Sequence, residues 1–190
     1  MTARDAKVPS AIGFLTVCEH GEQGYFGGYL ILNATGRPLE FHCTAPVRPS
    51  RAQAILYGPT LRGFVCGDQI GPALAARAKV KPQLICVDVP ELLDMRATSE
   101  QPIVLVLDDE QDESVGREHR SHSATIEPQD ATDSLVRFAL DDNPTAISGE
   151  WIGDRAEIER TWPTFANRIR LTEPFARIRE AIDEARKSAA

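Results

Sequence analysis

Two stretches near the middle of the chain are apolar almost throughout, and they predict buried strands. Residues 83–89 read Gln-Leu-Ile-Cys-Val-Asp-Val, and residues 103–107 read Ile-Val-Leu-Val-Leu. A short run that is apolar on both sides is typical of a strand covered on both faces, as in parallel sheets. The intervening residues 90–101 begin with Pro and are long enough for a helical crossover between parallel neighbours. The pattern therefore predicts a β-α-β unit.

The first part of the chain predicts three antiparallel strands joined in a meander. Residues 11–18 are apolar, residues 25–33 are rich in aromatic and β-branched side chains, and residues 39–43 alternate between apolar and polar. Polar turn residues separate the three segments. Gly27 and Gly28 inside the second segment indicate either a bulge or the close approach of another element.

Helical patterns follow the meander and recur at the end of the chain. Ser50 and Gln53 match a capping box, and a second helical segment over about 61–79 is interrupted by glycines. The final helix begins at Thr172. Its apolar positions form one stripe: Phe175, Ile178, Ile182 and Ala185.

The order of these elements predicts an α/β fold with a mixed sheet. An N-terminal antiparallel three-strand meander is followed by parallel β-α-β units and C-terminal helices. Over residues 11–109 this order resembles that of the ribonuclease H-like fold. Metal-dependent members of that superfamily place an acidic residue within the first strand, whereas residues 13–18 of this chain carry no carboxylate.

The same pattern divides the chain into three parts. We expect a mixed α/β domain over residues 8–109 and an acidic, polar loop or linker over residues 110–133. Residues 134–190 then supply a strand at 134–140 and helices. They form either a separate unit or the completion of the first sheet.

Composition and charge narrow the class of protein. The chain has 190 residues, 42% hydrophobic and 26% charged, as is usual for globular proteins. No apolar run reaches the roughly 18 residues of a membrane span, and the N-terminus lacks the apolar core of a signal peptide. We expect a soluble cytoplasmic protein that contacts no membrane. Its four cysteines, without C-x-x-C spacing, favour free thiols over disulfides or a zinc site.

Charge disfavours nucleic acid as the partner. The formal net charge is −7, and residues 83–154 hold 17 acidic side chains against 4 basic ones. Such an excess repels a phosphate backbone. Arginines that flank the third strand and the first helix, interleaved with aromatic residues, are the part of the chain suited to nucleic acid.

Polar residues at the carboxyl ends of the predicted parallel strands form the candidate site. Glu19 and His20 follow the first strand, Asp88 lies at the end of the next, and Asp108 and Asp109 follow the last. Parallel strands end at one sheet edge, where ligands gather. The candidate metal ligands are Glu19, Asp88, Asp108 and Asp109, and the candidate catalytic residues are Glu19, His20, Asp88 and Asp108. Alternatively, these are ordinary strand-end residues, and Asp88 caps the crossover helix.

Two functions are compatible with these features. The sequence contains no nucleophile elbow, Walker loop or dinucleotide fingerprint. The favoured hypothesis is therefore a non-catalytic binding or adaptor domain without a cofactor. It would act through protein–protein contacts. Its C-terminal helix is expected first to pack on the chain's own sheet, and the second choice is a partner protein or a second copy. The alternative is a metal-dependent, nuclease-like phosphoester hydrolase, in which carboxylates hold Mg²⁺ or Mn²⁺ and His20 is a general base or ligand.

Overall fold

A mixed sheet of seven strands forms the centre of the described part of the chain. The computed structural model describes residues 10–107 and 135–188. The strands are β1 (Ala11–Glu19), β2 (Tyr25–Asn33), β3 (Pro38–Cys43), β4 (Leu84–Val87), β5 (Ile103–Val106), β6 (Leu135–Leu140) and β7 (Asn143–Ser148). Their spatial order is β3-β2-β1-β4-β5-β7-β6.

The centre of the sheet is parallel, and both of its sides are antiparallel. β4 pairs in parallel with β1 and with β5, so that Cys86 lies opposite Phe14 on one side and Val104 on the other. β2 is antiparallel to β1, and β3 is antiparallel to β2. The predicted meander and β-α-β unit are confirmed. All residues of β4 and β5 are buried, because helices cover both faces of the sheet.

The last two strands extend the same sheet. The predicted sixth strand is β6, but β7 was not predicted, because Asp141-Asp142-Asn143-Pro144 reads as a turn followed by a strand breaker. β7 lies between β5 and β6 and pairs antiparallel with each. The carbonyl of Pro144 accepts a hydrogen bond from the Leu107 amide at 3.0 Å. Pro144 lacks an amide donor, but its acceptor is enough to continue the ladder.

One face of the sheet is covered by helical turns over residues 51–77 and by the crossover. These turns are α1 (Arg51–Tyr57), a 3₁₀ turn (Gly58–Thr60), α2 (Leu61–Gly63), a π-helix (Phe64–Ile70) and α3 (Gly71–Arg77). The capping box is confirmed: Ser50 Oγ accepts a hydrogen bond from the Gln53 amide at 3.2 Å, and Gln53 Oε1 accepts one from the Ser50 amide at 2.8 Å. The crossover is a 3₁₀ helix, Pro90–Ala97. A Cβ at Gly67 would lie 2.6 Å from the Glu91 carbonyl oxygen, so this glycine permits the close approach of the crossover.

The other face is covered by α4 (Asp154–Thr161), by a 3₁₀ turn (Trp162–Thr164) and by α5 (Glu173–Ser188). Phe175, Ile178 and Ile182 of α5 are buried against the sheet. Of the two choices for this stripe, the chain's own strands rather than a partner thus cover most of it, and only Ala185 of the stripe stays exposed. Among the described residues, none of the helices has both the length and the apolarity needed to cross a membrane.

Candidate functional site

The carboxyl ends of β1 and β4 lie side by side at one edge of the sheet. Their register pairs Leu15 with Val87, so the next residues along the two strands, Thr16 and Asp88, are neighbours at this edge. Alternate residues of a strand point to opposite faces. Thr16 and Cys18 follow Phe14 on the face covered by α5, and Asp88 follows Cys86 on that same face. The edge therefore presents a hydroxyl, a thiol and a carboxylate beneath α5.

Asp88 is a buried carboxylate that meets a guanidinium from α5. Its side chain is only 9% exposed, and one of its oxygens, Oδ2, accepts a hydrogen bond from Arg179. The other oxygen, Oδ1, lies beside the Thr16 hydroxyl; both are buried, and neither bonds any other described residue. Burial raises the pKa of the Asp88 carboxyl, and the Arg179 charge opposes that rise. Asp88 does not cap the crossover helix, whose N-cap is Val89 without a side-chain hydrogen bond.

His20 is held next to a second arginine of α5. The Nη1 atom of Arg186 lies 3.0 Å from His20 Nδ1 and donates to Asp183 Oδ1 at 2.8 Å. The remaining nitrogens of Arg186 bond Gln23 Oε1 at 3.0 and 2.7 Å. The His20 ring also packs edge-on against Phe26, with ring centroids 5.4 Å apart. These contacts fix a half-buried imidazole at the same edge as Asp88.

Glu19 lies on the opposite face of the sheet. It follows Leu15 and Val17 in the alternation of β1, and its carboxylate is 3.4 Å from Arg62 Nη1. Arg62 in turn donates to Glu91 Oε1 of the crossover at 2.6 Å. The structure therefore brings His20 and Asp88 to one side and places Glu19 on the other. Asp108 and Asp109 lie outside the described residues, and their role stays a prediction.

The donors at this edge limit the kind of metal site that the chain can form. Among the described residues, no three His, Cys, Asp or Glu side chains are grouped to hold a metal ion. Mg²⁺ is commonly held by one or two carboxylates together with substrate phosphates. Asp88 Oδ1 and the Thr16 hydroxyl are adjacent hard donors of this kind, and no other described residue bonds them. The donor set fits a cation shared with a bound phosphate, because the nearby Arg179 charge opposes a cation held without one.

The sequence analysis did not identify the charged residues of α5 as part of the candidate site. Arg179, Asp183 and Arg186 each come one residue after a member of the predicted apolar stripe, so they lie along its border. That spacing indicates that these side chains lie beside the buried face of the helix, but it does not show which strand they contact. The packing of α5 on β1 and β2 supplies that information.

Comparison with known proteins gives a fold likeness only. No protein-family model and no curated protein matches the sequence. Human endonuclease V superposes with a TM-score of 0.50 at 14% identity, covering 96% of this chain and 87% of that chain. A Ciona intestinalis endonuclease V in complex with a 24mer DNA, containing an inosine followed by a ribo-adenosine, gives a TM-score of 0.45 at 12% identity, covering 93% and 87%. The catalytic domain of human endonuclease V gives a TM-score of 0.44 at 12% identity, covering 94% and 85%.

The likeness to human endonuclease V confirms the predicted ribonuclease H-like α/β fold. It contradicts our main functional hypothesis, a non-catalytic domain that acts through protein–protein contacts, because human endonuclease V, which has a similar fold, is a nuclease. The burial of the α5 stripe removes most of the surface on which that hypothesis depended.

Proposed function

We propose that this protein binds nucleic acid and hydrolyses its phosphodiester bonds at the carboxyl edge of β1 and β4, with Mg²⁺ or Mn²⁺ as cofactor. The observation that carries the proposal is Asp88, a carboxylate at the end of a central parallel strand with one buried oxygen that no described residue other than Thr16 bonds. Strand ends of this kind are where open α/β sheets bind ligands. The endonuclease V-like fold supports the proposal.

The arginines of α5 offset the acidity of the chain at this edge. The side chain of Arg179 is 48% exposed, so its guanidinium can reach a phosphate while its stem stays against the sheet. Guanidinium groups bind phosphate oxygens in a bidentate manner. A phosphate on Arg179 would compete with Asp88 for the guanidinium, and Asp88 would then have both oxygens available.

His20 is the candidate for proton transfer. Histidine is the residue that most often acts as a general acid or base, and this ring is fixed by Phe26 and Arg186. Asp88 and Thr16 would hold the divalent cation, which supplies charge neutralisation at the phosphate and acidifies a water molecule. The chain's own residues thus position the phosphate and exchange the proton.

The test is a cleavage assay on the full chain. Labelled single-stranded and double-stranded DNA and RNA are incubated with Mg²⁺, Mn²⁺ or EDTA. We expect cleavage that depends on the cation and falls at least about 100-fold in Asp88→Asn, because loss of a residue that only supports a metal ligand already costs about 10–100-fold. Asp142→Asn, which changes an exposed turn residue in the same way, should keep full activity. Glu19→Gln should also keep activity, because Glu19 faces Arg62 on the other side of the sheet.

Two results would contradict the proposal. One is cleavage that persists in EDTA or in Asp88→Asn. The other is a folded protein that cleaves none of these substrates with either cation. Loss of activity in Glu19→Gln would instead show that Glu19 belongs to the active site. The end of β1 would then have to rearrange to bring Glu19 to the face of Asp88.

A further inference from the structure

A cavity adjoins the site at the C-terminal end of α5. Its volume is about 430 Å³, which lies within the usual range of small-molecule sites. The walls come from α5, from the start of β2 and from the segment that follows β3. The side chains that matter are Phe26, Cys43, Arg48, Ile182, Ala185 and Arg186.

The charged part of the cavity is purely basic. Arg48 and Arg186 line it, and none of its described lining residues is acidic. The Nε atom of Arg48 donates to the Gln23 carbonyl at 3.1 Å, which orients the guanidinium. The terminal nitrogens of Arg48 have no hydrogen-bond partner in the part of the chain that the structure describes. They are therefore available to an anion.

The remaining wall is apolar. Phe26 and Ile182 are buried, and Ala185 is an exposed, small residue of α5. Arg186 is already engaged by Asp183 and Gln23, so Arg48 supplies the open guanidinium of this apolar cavity. Such a cavity suits an organic anion that has a flat, weakly polar body. A nucleotide is such a molecule, because its base is flat and its phosphate is a bidentate guanidinium ligand.

We propose that this cavity binds one nucleotide, with the base against the apolar wall and the phosphate on Arg48. The inference rests on the proposed function and names a subsite for it. Arg186 connects the two regions, because it lines the cavity and contacts His20. Arg179 and Arg186 are seven residues apart, or about 10 Å along the helix. The cavity therefore begins about two helical turns from Arg179, the residue that meets Asp88.

Calorimetric titration of the full chain in EDTA tests this inference without cleavage. The probes are the four 5′-mononucleotides, inorganic phosphate and a short single-stranded oligonucleotide. Arg48→Ala should weaken nucleotide binding about tenfold, as for loss of a charge-assisted hydrogen bond. Ala185→Leu fills the cavity without harming helix propensity and should weaken binding to a similar extent. Arg51→Ala, an exposed arginine of α1 outside the cavity, is the matched control and should leave binding unchanged.

The outcomes separate the sources of the nucleotide. Weaker binding of both mononucleotides and oligonucleotide in the two cavity variants supports a site for any nucleotide. Weaker binding of the oligonucleotide alone supports a subsite for a nucleotide within a strand. The inference would be overturned if both cavity variants bound the nucleotide probes as tightly as the wild type. It would also be overturned if the wild type bound neither the mononucleotides nor the oligonucleotide, or bound inorganic phosphate as tightly as the mononucleotides.

The same variants distinguish this inference from the proposed function. Asp88→Asn should lose cleavage and still bind nucleotides in EDTA. Cleavage by the wild type with no effect of the cavity variants on binding would contradict the subsite alone. Nucleotide binding that depends on Arg48 and Ala185, without any cleavage, would contradict the hydrolase alone.

Discussion

Gly27 and Gly28 of β2 let helices approach the sheet from both faces, and replacing each by Ala gives a matched pair of variants. A Cβ at Gly28 would overlap Ile178 of α5, and a Cβ at Gly27 would overlap Ile70 of the π-helix. Of the two alternatives predicted for these glycines, the structure shows close approach. Their register with β1 is regular, with Gly28 opposite Thr16 and Gly27 opposite Val17.

The two substitutions should cost similar stability and differ in their effect on the site. Overpacking of a tight core contact costs about 1–3 kcal/mol. For a chain of this size the melting temperature falls by about 2–4 °C per kcal/mol. Gly28→Ala displaces α5, which carries Arg179 and Arg186, whereas Gly27→Ala displaces the helices on the other face. Since a displacement of about 1 Å can cost about 100-fold in rate, cleavage should fall mainly in Gly28→Ala.

Urea unfolding of a double-mutant cycle measures the contact directly. Ile178→Ala removes the side chain that the new methyl group would meet. In combination with Gly28→Ala, the loss of unfolding free energy should be smaller than the sum of the single losses by about 1–3 kcal/mol. Additivity within about 0.5 kcal/mol would refute the proposed contact. An equal loss of cleavage in Gly27→Ala and Gly28→Ala would refute the link between α5 and the site.

Three further predictions concern stability, pH and reactivity. Asp154→Ala should cost about 3 kcal/mol of unfolding free energy in urea, because it leaves Arg96, only 17% exposed, without its bidentate partner. Hydrogen bonds, above all that with His42, lower the pKa of the Glu40 carboxyl below its ordinary value of 4.5. The stability that this carboxylate adds is therefore present above pH 4.5 and is lost as the pH falls through its pKa in the folded protein. Thermal melts should therefore show a shallower acid decline for Glu40→Gln than for the wild type. Burial raises the pKa of the Cys86 thiol, and mass spectrometry should find it unalkylated at pH 8 in the folded protein.

Each of these three predictions has a control or a contradicting result that can be measured on the same protein. Glu159→Ala breaks an exposed pair with Arg155 and should cost less than about 0.5 kcal/mol, so an equal loss in Asp154→Ala would contradict the first prediction. Identical acid declines of Glu40→Gln and wild type would contradict the second. Alkylation of Cys86 at the rate seen in urea would contradict the third.

Local pattern was sufficient for the elements whose burial is nearly complete. The apolar runs at 83–89 and 103–107 contain β4 and β5, because a strand covered on both faces must be apolar along its whole length. β7 escaped prediction because Pro144 and the preceding polar residues suggest a loop. Its place between β5 and β6 is set by long-range pairing, which local pattern does not record.

The sequence by itself determined the mixed α/β fold and the position of Asp88 at the end of a central strand. Alternation along β1 already implied that Glu19 faces away from Thr16 and Cys18, a signal that our interpretation of the strand ends did not use. Only the tertiary structure decided what meets Asp88: Arg179 is 91 residues away in the chain. Strand periodicity fixes which face a side chain takes. The element that covers that face depends on how α5 packs, and this is a property of the whole fold.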